Sequence, residues 1–322
     1  MRREHTKKKW LIVFSVLIVA LIIGALVPIV LPPPLIERDW MGICVHALSA
    51  NDAQLVNESG AGWIRIDASP DFGEAIVNAK AHDLRVLGIL DSWMFNQSTI
   101  FTLEEWRSNV TYYVSHYAND VDAWEIWNEP ANPTYPLLDL DVSSQENMSQ
   151  VVQFYFSMVQ VASPIIRQYD PSAKIVLFGG LNLWSGDDPH LDLDKEFARQ
   201  LAAMNVTQYG DGLSVHAYPW MVRVESLVWE KYDESLSYYC ELYASFDVWV
   251  TETGFPAMPA GESGQAQYLR DALSYFRGKA ARLFWYSLLD NTGDPARFGL
   301  VGNGTLRLAY YALQEQLTGK SD

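Results

Sequence analysis

DAWEIWNEP, residues 122 to 130, is an apolar run that stops on two adjacent polar side chains and a proline. Neighbouring side chains of a strand point to opposite faces, so Asn128 and Glu129 should not look the same way. Alternation groups Trp124, Ile126 and Asn128, read here as the inner face, and Glu129 joins them only where the strand ends or bulges. Pro130 has no N–H to give to a ladder, so pairing should end there. The reading is of a strand that terminates on chemistry, as strands of α/β proteins do at their carboxyl edge.

Seven other runs share this look: MGICVHA (41–47), GWIRI (62–66), LRVLGIL (84–90), KIVLFG (174–179), GLSVHAY (212–218), DVWVTE (247–252) and RLFWYSL (282–288). Amphipathic segments lie between them, among them TLEEWRSNVTYYVSHY, where Thr102 and Glu105 have capping-box spacing, and QENMSQVVQFYFSMVQVASPIIRQY. DKEFARQLAAM, ESLSYYCELYASF, GQAQYLRDALSYF and LRLAYYALQEQL continue the pattern. Eight strands separated by helices predict an α/β fold, a closed (β/α)8 TIM barrel, in a single domain over residues 40–322. No GxGxxG or GxxxxGK[ST] follows a strand, so neither a dinucleotide nor a nucleoside triphosphate is indicated.

The formal charge of −16 is unevenly spread. Residues 1–9, MRREHTKKK, carry five basic side chains against Glu4, so the rest of the chain stands at about −20 once this +4 tail is set aside. An acidic body repels phosphate backbones, and no nucleic-acid partner is expected. Residues 10–31, WLIVFSVLIVALIIGALVPIVL, hold no charge and are long enough to cross ~30 Å of hydrocarbon. Longer than a signal-peptide core and followed by Pro32, Pro33 and Pro34, the run reads as an uncleaved transmembrane helix in contact with the lipid bilayer. The basic tail then lies in the cytoplasm, and a Pro-rich linker (32–39) carries an extracytoplasmic body at the cell membrane. Sequons at Asn57, Asn96, Asn109, Asn147, Asn205 and Asn303 would be acceptors in a glycosylating host. Cys44 and Cys240 fall on elements this topology holds apart and are expected as free, buried thiols.

The strand ends are unusually polar. Strand 2 carries Arg65, strand 4 ends in Asn128 and Glu129, strand 6 in His216 and Tyr218, strand 7 in Glu252, and strand 8 holds Trp285. Counting by twos groups Val248, Val250 and Glu252, then Ser214, His216 and Tyr218, then Leu283, Trp285 and Ser287. Two carboxylates across one barrel mouth suggest a glycosidase pair, one attacking the anomeric carbon and one protonating the leaving oxygen when they stand ~5 to 5.5 Å apart. Arg65 and Tyr218 would keep Glu252 ionised, while desolvation or the neighbouring charge would keep a proton on Glu129. Asn128 would take a sugar hydroxyl, and Trp285 would offer an apolar face. Trp93, Trp184 and Trp220, just beyond strand ends, are secondary candidates, and His46 is either a sugar contact or a satisfied core histidine. Glu125 reads as a paired structural acid. The six histidines form no His-X-His or HExxH and no GxSxG is present, so metal hydrolysis and a serine nucleophile are disfavoured and no cofactor is called for.

These segments together resemble the retaining glycoside hydrolases of clan A, with families 5, 39 and 53 left unseparated. WEIWNEP is similar to the strand-4 signature of Asn before the acid/base, VWVTETGFP to the nucleophile segment, HAYPW to the His-X-Tyr segment, and FWYSLLDN to the strand-8 Trp segment. FGLVGNGTLRLAYYAL resembles a common C-terminal segment, though Arg307-Leu308 stands where Lys-Pro is frequent, and LDSW stands where family 5 has a His. The resemblance implies a TIM barrel, β-glycoside hydrolysis of an oligo- or polysaccharide, Glu129 as acid/base, Glu252 as nucleophile, and Asn128, Arg65, His216, Tyr218 and Trp285 in support. The same constellation would serve a cell-surface transglycosylase, and a catalytically silent glycan-binding barrel would share its anchor and sequons.

Overall fold

A computed structural model describes residues 35–134, 137–183, 190–219, 226–291 and 295–320. The basic tail, the span expected over residues 10–31 and the start of the linker lie outside the described residues, as do Trp184 and Trp220. Among the described residues no helix is long and apolar enough to cross a membrane.

The eight expected strands are all present: β1 (Met41–Cys44), β2 (Trp63–Asp67), β3 (Arg85–Leu90), β4 (Ala123–Ile126), β5 (Lys174–Asn182), β6 (Gly212–Ala217), β7 (Asp247–Thr253) and β8 (Arg282–Trp285). They pair in parallel in sequence order and β8 closes onto β1, making a barrel with no free edge. The helices between them are α1 (Ala50–Ser59), α2 (Phe72–Ala81), α3 (Leu103–Tyr117), α4 (Gln145–Tyr169), α5 (His190–Ala203), α6 (Ser226–Leu242), α7 (Ala257–Phe276) and α8 (Leu308–Thr318). Thr102 and Glu105 do form a capping box at the start of α3, and Ser49 with Asp52 forms a second at α1.

Most of the apolar side chains pack between barrel and helices, where Trp106, Trp124, Tyr155 and Phe197 are fully enclosed. A second, smaller cluster fills the barrel's lower interior: Cys44, Trp63, Leu87, Ala123, Val176, Trp249 and Phe284. This floor sets the starting parity of the strands that contribute to it, and it corrects two of the sequence expectations. On β4 the inner face is Ala123 and Glu125, while Trp124 points out against Phe72; on β8 it is Phe284, so Trp285 points into the helical layer. An apolar floor residue and an apolar shell residue alternate in a parallel strand buried on both faces, so hydrophobicity alone cannot say which is which. Cys44 donates to Thr251 O from inside the barrel, and burial raises its thiol well above the ordinary value; Cys240 is free but only half-buried, against expectation.

Candidate active site

Directly above the floor sits a polar tier organised by Arg65 on β2. Each of its three guanidinium nitrogens is engaged: Nε donates to Glu125 (2.6 Å), Nη1 to Glu252 (2.6 Å) and Nη2 to Asn128 (2.8 Å). Glu125, wholly buried, also accepts from Ser214 (2.6 Å), whose hydroxyl meets Thr251 Oγ1 at 2.6 Å. The nearby carboxylates raise the Arg65 pKa further even against burial, so its charge is fixed. Glu125 is thus the paired acid that was expected, and Arg65 joins it to the rim.

The end of β4 resolves the Asn128–Glu129 conflict one residue earlier than alternation suggested. Trp127 has φ +66° and Glu129 φ +46°, two non-glycine residues in the left-handed region. Trp127, which parity would send inward, instead packs tilted against Phe101 and edge-on against Trp106; Asn128 turns in to Arg65, and Glu129 stays in. Such backbone costs roughly 1 kcal/mol or more per residue and is tolerated only where neighbours enforce it. The enforcement comes from β5, whose ladder slips between Leu177 and Leu181 through Phe178, Gly179 and Gly180, all at positive φ. Glu129 N–H donates to Gly179 O (2.7 Å), and the buried Tyr155 hydroxyl of α4 donates to Ile126 O (3.1 Å) while accepting from Phe178 N–H (2.6 Å). The two glycines are sterically required: a Cβ on Gly179 would stand 2.5 Å from Trp127 O, and one on Gly180 2.2 Å from His216 Nε2.

Glu252 reaches the pocket differently. Trp249 and Thr251 face the barrel interior, so simple alternation would turn Glu252 out. The β6–β7 ladder instead jumps from Val215–Val250 to His216–Glu252, and the β7–β8 ladder from Val250–Leu283 to Thr253–Trp285. This bulge brings Glu252 inward, and the hydroxyls of Thr253 (2.8 Å) and Tyr268 (3.0 Å) both donate to Ala217 O beside it. Grouping Glu252 with Val248 and Val250 therefore reached the right orientation from the wrong face.

The two carboxylates have different partners. Glu252 accepts from Arg65 and from the Tyr218 hydroxyl (2.5 Å), whose own pKa is raised well above the ordinary value by burial and by Glu252, so it remains a donor. Glu129 pairs with His216 Nδ1 (2.8 Å) and accepts from Asn132 (2.6 Å). Burial pushes Glu129 up, but the hydrogen bonds and charge of His216, with Asn132, outweigh it and the pKa is lowered; burial pushes His216 down, but Glu252 and Glu129 raise it. The two shifts thus favour a proton on His216, where the sequence reading has it on Glu129. The other ring nitrogen, Nε2, is buried without a hydrogen-bond partner and lies 3.8 Å from Glu252 Oε1, so one imidazole spans the gap between the two carboxylates.

A pocket of about 470 Å³ opens above these groups, lined by Arg65, Asn128, Glu129, Tyr218 and Glu252 together with His46, Asp67, Asp91, Trp93 and Tyr286. His46 is an exposed pocket residue, not a core histidine. Trp93 is 37% exposed on the rim, as its position beyond β3 suggested. Trp285 is 1% exposed, with its Nε1 turned to Phe298 O (3.4 Å), and cannot present a face to the pocket. The aromatic wall at the end of β8 is its neighbour Tyr286, held by Asn291 (2.6 Å) and His46 (3.2 Å). Asn291 therefore acts through Tyr286, while Asp290 is forked by Arg307 (2.5 and 2.8 Å), which ties down the last loop. Asn132, Tyr286, Asp67 and Asp91 were not singled out from sequence; the parity of β8 would have found Tyr286, and Asp67 continues the Trp63–Arg65 face. A larger depression of about 1000 Å³ on the surface of α4, lined by Leu138, Gln145, Glu146 and Ser149, holds none of these groups. Among the described residues no cluster of three His, Cys, Asp or Glu side chains is arranged to hold a metal ion.

With this geometry in hand, the chain compares with solved structures as follows. A family 39 glycoside hydrolase from Bacteroides cellulosilyticus superposes with a TM-score of 0.63 at 18% identity, over 89% of this chain and 65% of that one. What they share is the fold, a closed eight-stranded parallel (β/α)8 barrel. A glucosidase from Croceicoccus marinus gives 0.64 at 14% identity over 87% of this chain and 67% of its own, and a β-glucuronidase from Bacteroides uniformis gives 0.64 at 14% over 87% and 35%. This chain thus spans about one third to two thirds of the length of these barrels' parent proteins. No family model and no curated protein sequence matches it.

Proposed function

We propose that this protein is a retaining glycoside hydrolase that cleaves β-type O-glycosidic bonds through a covalent intermediate on Glu252. The observation that carries the reading is the pair of strand-end glutamates facing one pocket with complementary partners: Arg65 and Tyr218 on Glu252, His216 and Asn132 on Glu129. The fold shared with a family 39 glycoside hydrolase and a glucosidase supports it.

In the first step the ionised Glu252 attacks the anomeric carbon as the bond to the departing oxygen breaks. That attack dissipates the Glu252 charge which, after burial, weighs most on the His216 pKa, so the proton passes from His216 through Glu129 to the leaving oxygen. In the second step the same pair takes a proton from water, which displaces Glu252 from the sugar. Asn128, oriented by Arg65, is placed to bond the hydroxyl beside the reacting carbon. On sequence grounds alone, residues 10–31 anchor the barrel at the cell membrane with its pocket outside.

The test is to incubate the full chain with a panel of 2-fluoro activated glycosides and map the covalent label by mass spectrometry. A label on Glu252 is expected; a label on another residue would overturn the assignment, and inertness toward every sugar would favour a binding protein.

A further inference from the structure

The pocket is also lined by acids outside the glutamate pair. Asp67 ends β2 on the same face as Trp63 and Arg65, and Asp91 follows β3. Asp91 is 4% exposed, with one carboxylate oxygen accepting from Trp93 N–H (2.9 Å). Asp67 is the register neighbour of Ile89 on β3, two residues before Asp91, so both carboxyls line the same stretch of the pocket, and burial together with Asp67 raises the Asp91 pKa well above the carboxylate range. His46 Nδ1 lies 3.5 Å from Asp67, which raises the His46 pKa.

We infer that the Asp67–Asp91 pair selects an uncharged sugar by binding two neighbouring hydroxyls, and that uronic acids are excluded from this pocket. The inference rests on the proposed glycosidase reading and names its substrate class. Two carboxyls side by side at the pocket offer oxygens that the neighbouring hydroxyls of a vicinal diol can bond. A uronate would instead set its own carboxylate against these acids. Among the described lining residues the cations are already committed: Arg65 spends its three nitrogens on Glu125, Glu252 and Asn128, and His46 faces Asp67. A buried unpaired carboxylate is strongly disfavoured, so selection acts by rejection as well as by attraction. A cationic amino sugar is the weaker candidate, since His46 already sits against Asp67. The β-glucuronidase from Bacteroides uniformis thus shares this barrel but would not share this specificity.

The experiment uses the full chain with matched aryl β-glycosides, neutral (gluco, galacto, manno, xylo) and uronic (glucuronide, galacturonide), together with binding of the parent free sugars followed by tryptophan fluorescence. At least one neutral glycoside should be turned over with kcat/KM at least tenfold above every uronide, and the neutral sugar should bind correspondingly better. Asp67→Asn should raise KM for the preferred sugar about tenfold with little change in kcat, whereas Asp91→Asn, at a buried carboxyl already engaged by Trp93 N–H, should change either by less. Turnover or binding of a uronide equal to or above the neutral sugars overturns the inference while leaving the glycosidase reading intact. So does an Asp67→Asn variant that folds and keeps its KM. Absence of turnover with all sugars, alongside tight neutral-sugar binding, would sink the glycosidase reading and leave the selectivity standing; absence of both would sink the two together.

Discussion

The ends of β4 and β7 each deliver one glutamate to the same pocket, but they break the strand pattern in different ways. On β4 the observed parity already carries Glu129 inward, and the left-handed Trp127 serves to bring in Asn128 beside it. On β7 parity would turn Glu252 away, and a slip of both flanking ladders brings it back. The difference extends to the charges: a fixed guanidinium holds Glu252, whereas a titratable imidazole holds Glu129. A group that must stay ionised and a group that must exchange a proton have partners suited to those tasks.

Removing each carboxylate should break the comparison most forcefully. Glu252→Gly and Glu129→Ala should each lose activity on the order of 10⁴-fold for substrates with poor leaving groups. Added azide should sharpen it, because it replaces Glu252 directly on the sugar and gives the inverted glycosyl azide, whereas in the Glu129 variant it intercepts the glycosyl-enzyme and gives the retained one. Product stereochemistry by NMR checks this; the same azide anomer from both would contradict the two roles.

Arg65→Ala comes next. It leaves Glu125 buried without its cation and frees Glu252 and Asn128 at once, so about 3–5 kcal/mol of stability should be lost in denaturant unfolding. No single partner of Glu129 should cost as much.

How far these differences were legible depended on what the sequence pattern encodes. The eight strands, the α3 capping box and the residues Arg65, Asn128, Glu129, His216, Tyr218 and Glu252 that meet at one pocket could be read from run lengths, turn chemistry and polar strand ends. Which face of β4 or β8 looks inward could not, because both faces are apolar, and Trp285 was taken for the pocket residue that Tyr286 turns out to be. Nor was the Phe178-Gly179-Gly180 slip legible: it is a response to Trp127 and His216, side chains remote in sequence. The preference for a proton on His216 depended on a tertiary contact in the same way.

The smallest effect is the pH dependence of stability. The lowered Glu129 pKa contributes stability that is present above its ordinary value of 4.5 and is lost as pH falls through the lowered value. The raised His216 pKa contributes stability that is present below its ordinary value of 6.5 and is lost as pH rises through the raised value. Both act in full between 4.5 and 6.5. Denaturation midpoints of the wild type and His216→Asn should therefore differ most in that interval and converge on either side; a constant offset would show that the pair does not titrate.

The central claim is that Glu252 attacks the sugar and Glu129 serves as the acid and base of a double displacement. It is tested most directly by following the anomeric proton of the first-formed product by NMR during hydrolysis of a β-glycoside, before mutarotation. The account predicts that the β-anomer appears first; initial release of the α-anomer would mean a single displacement by water and would contradict it.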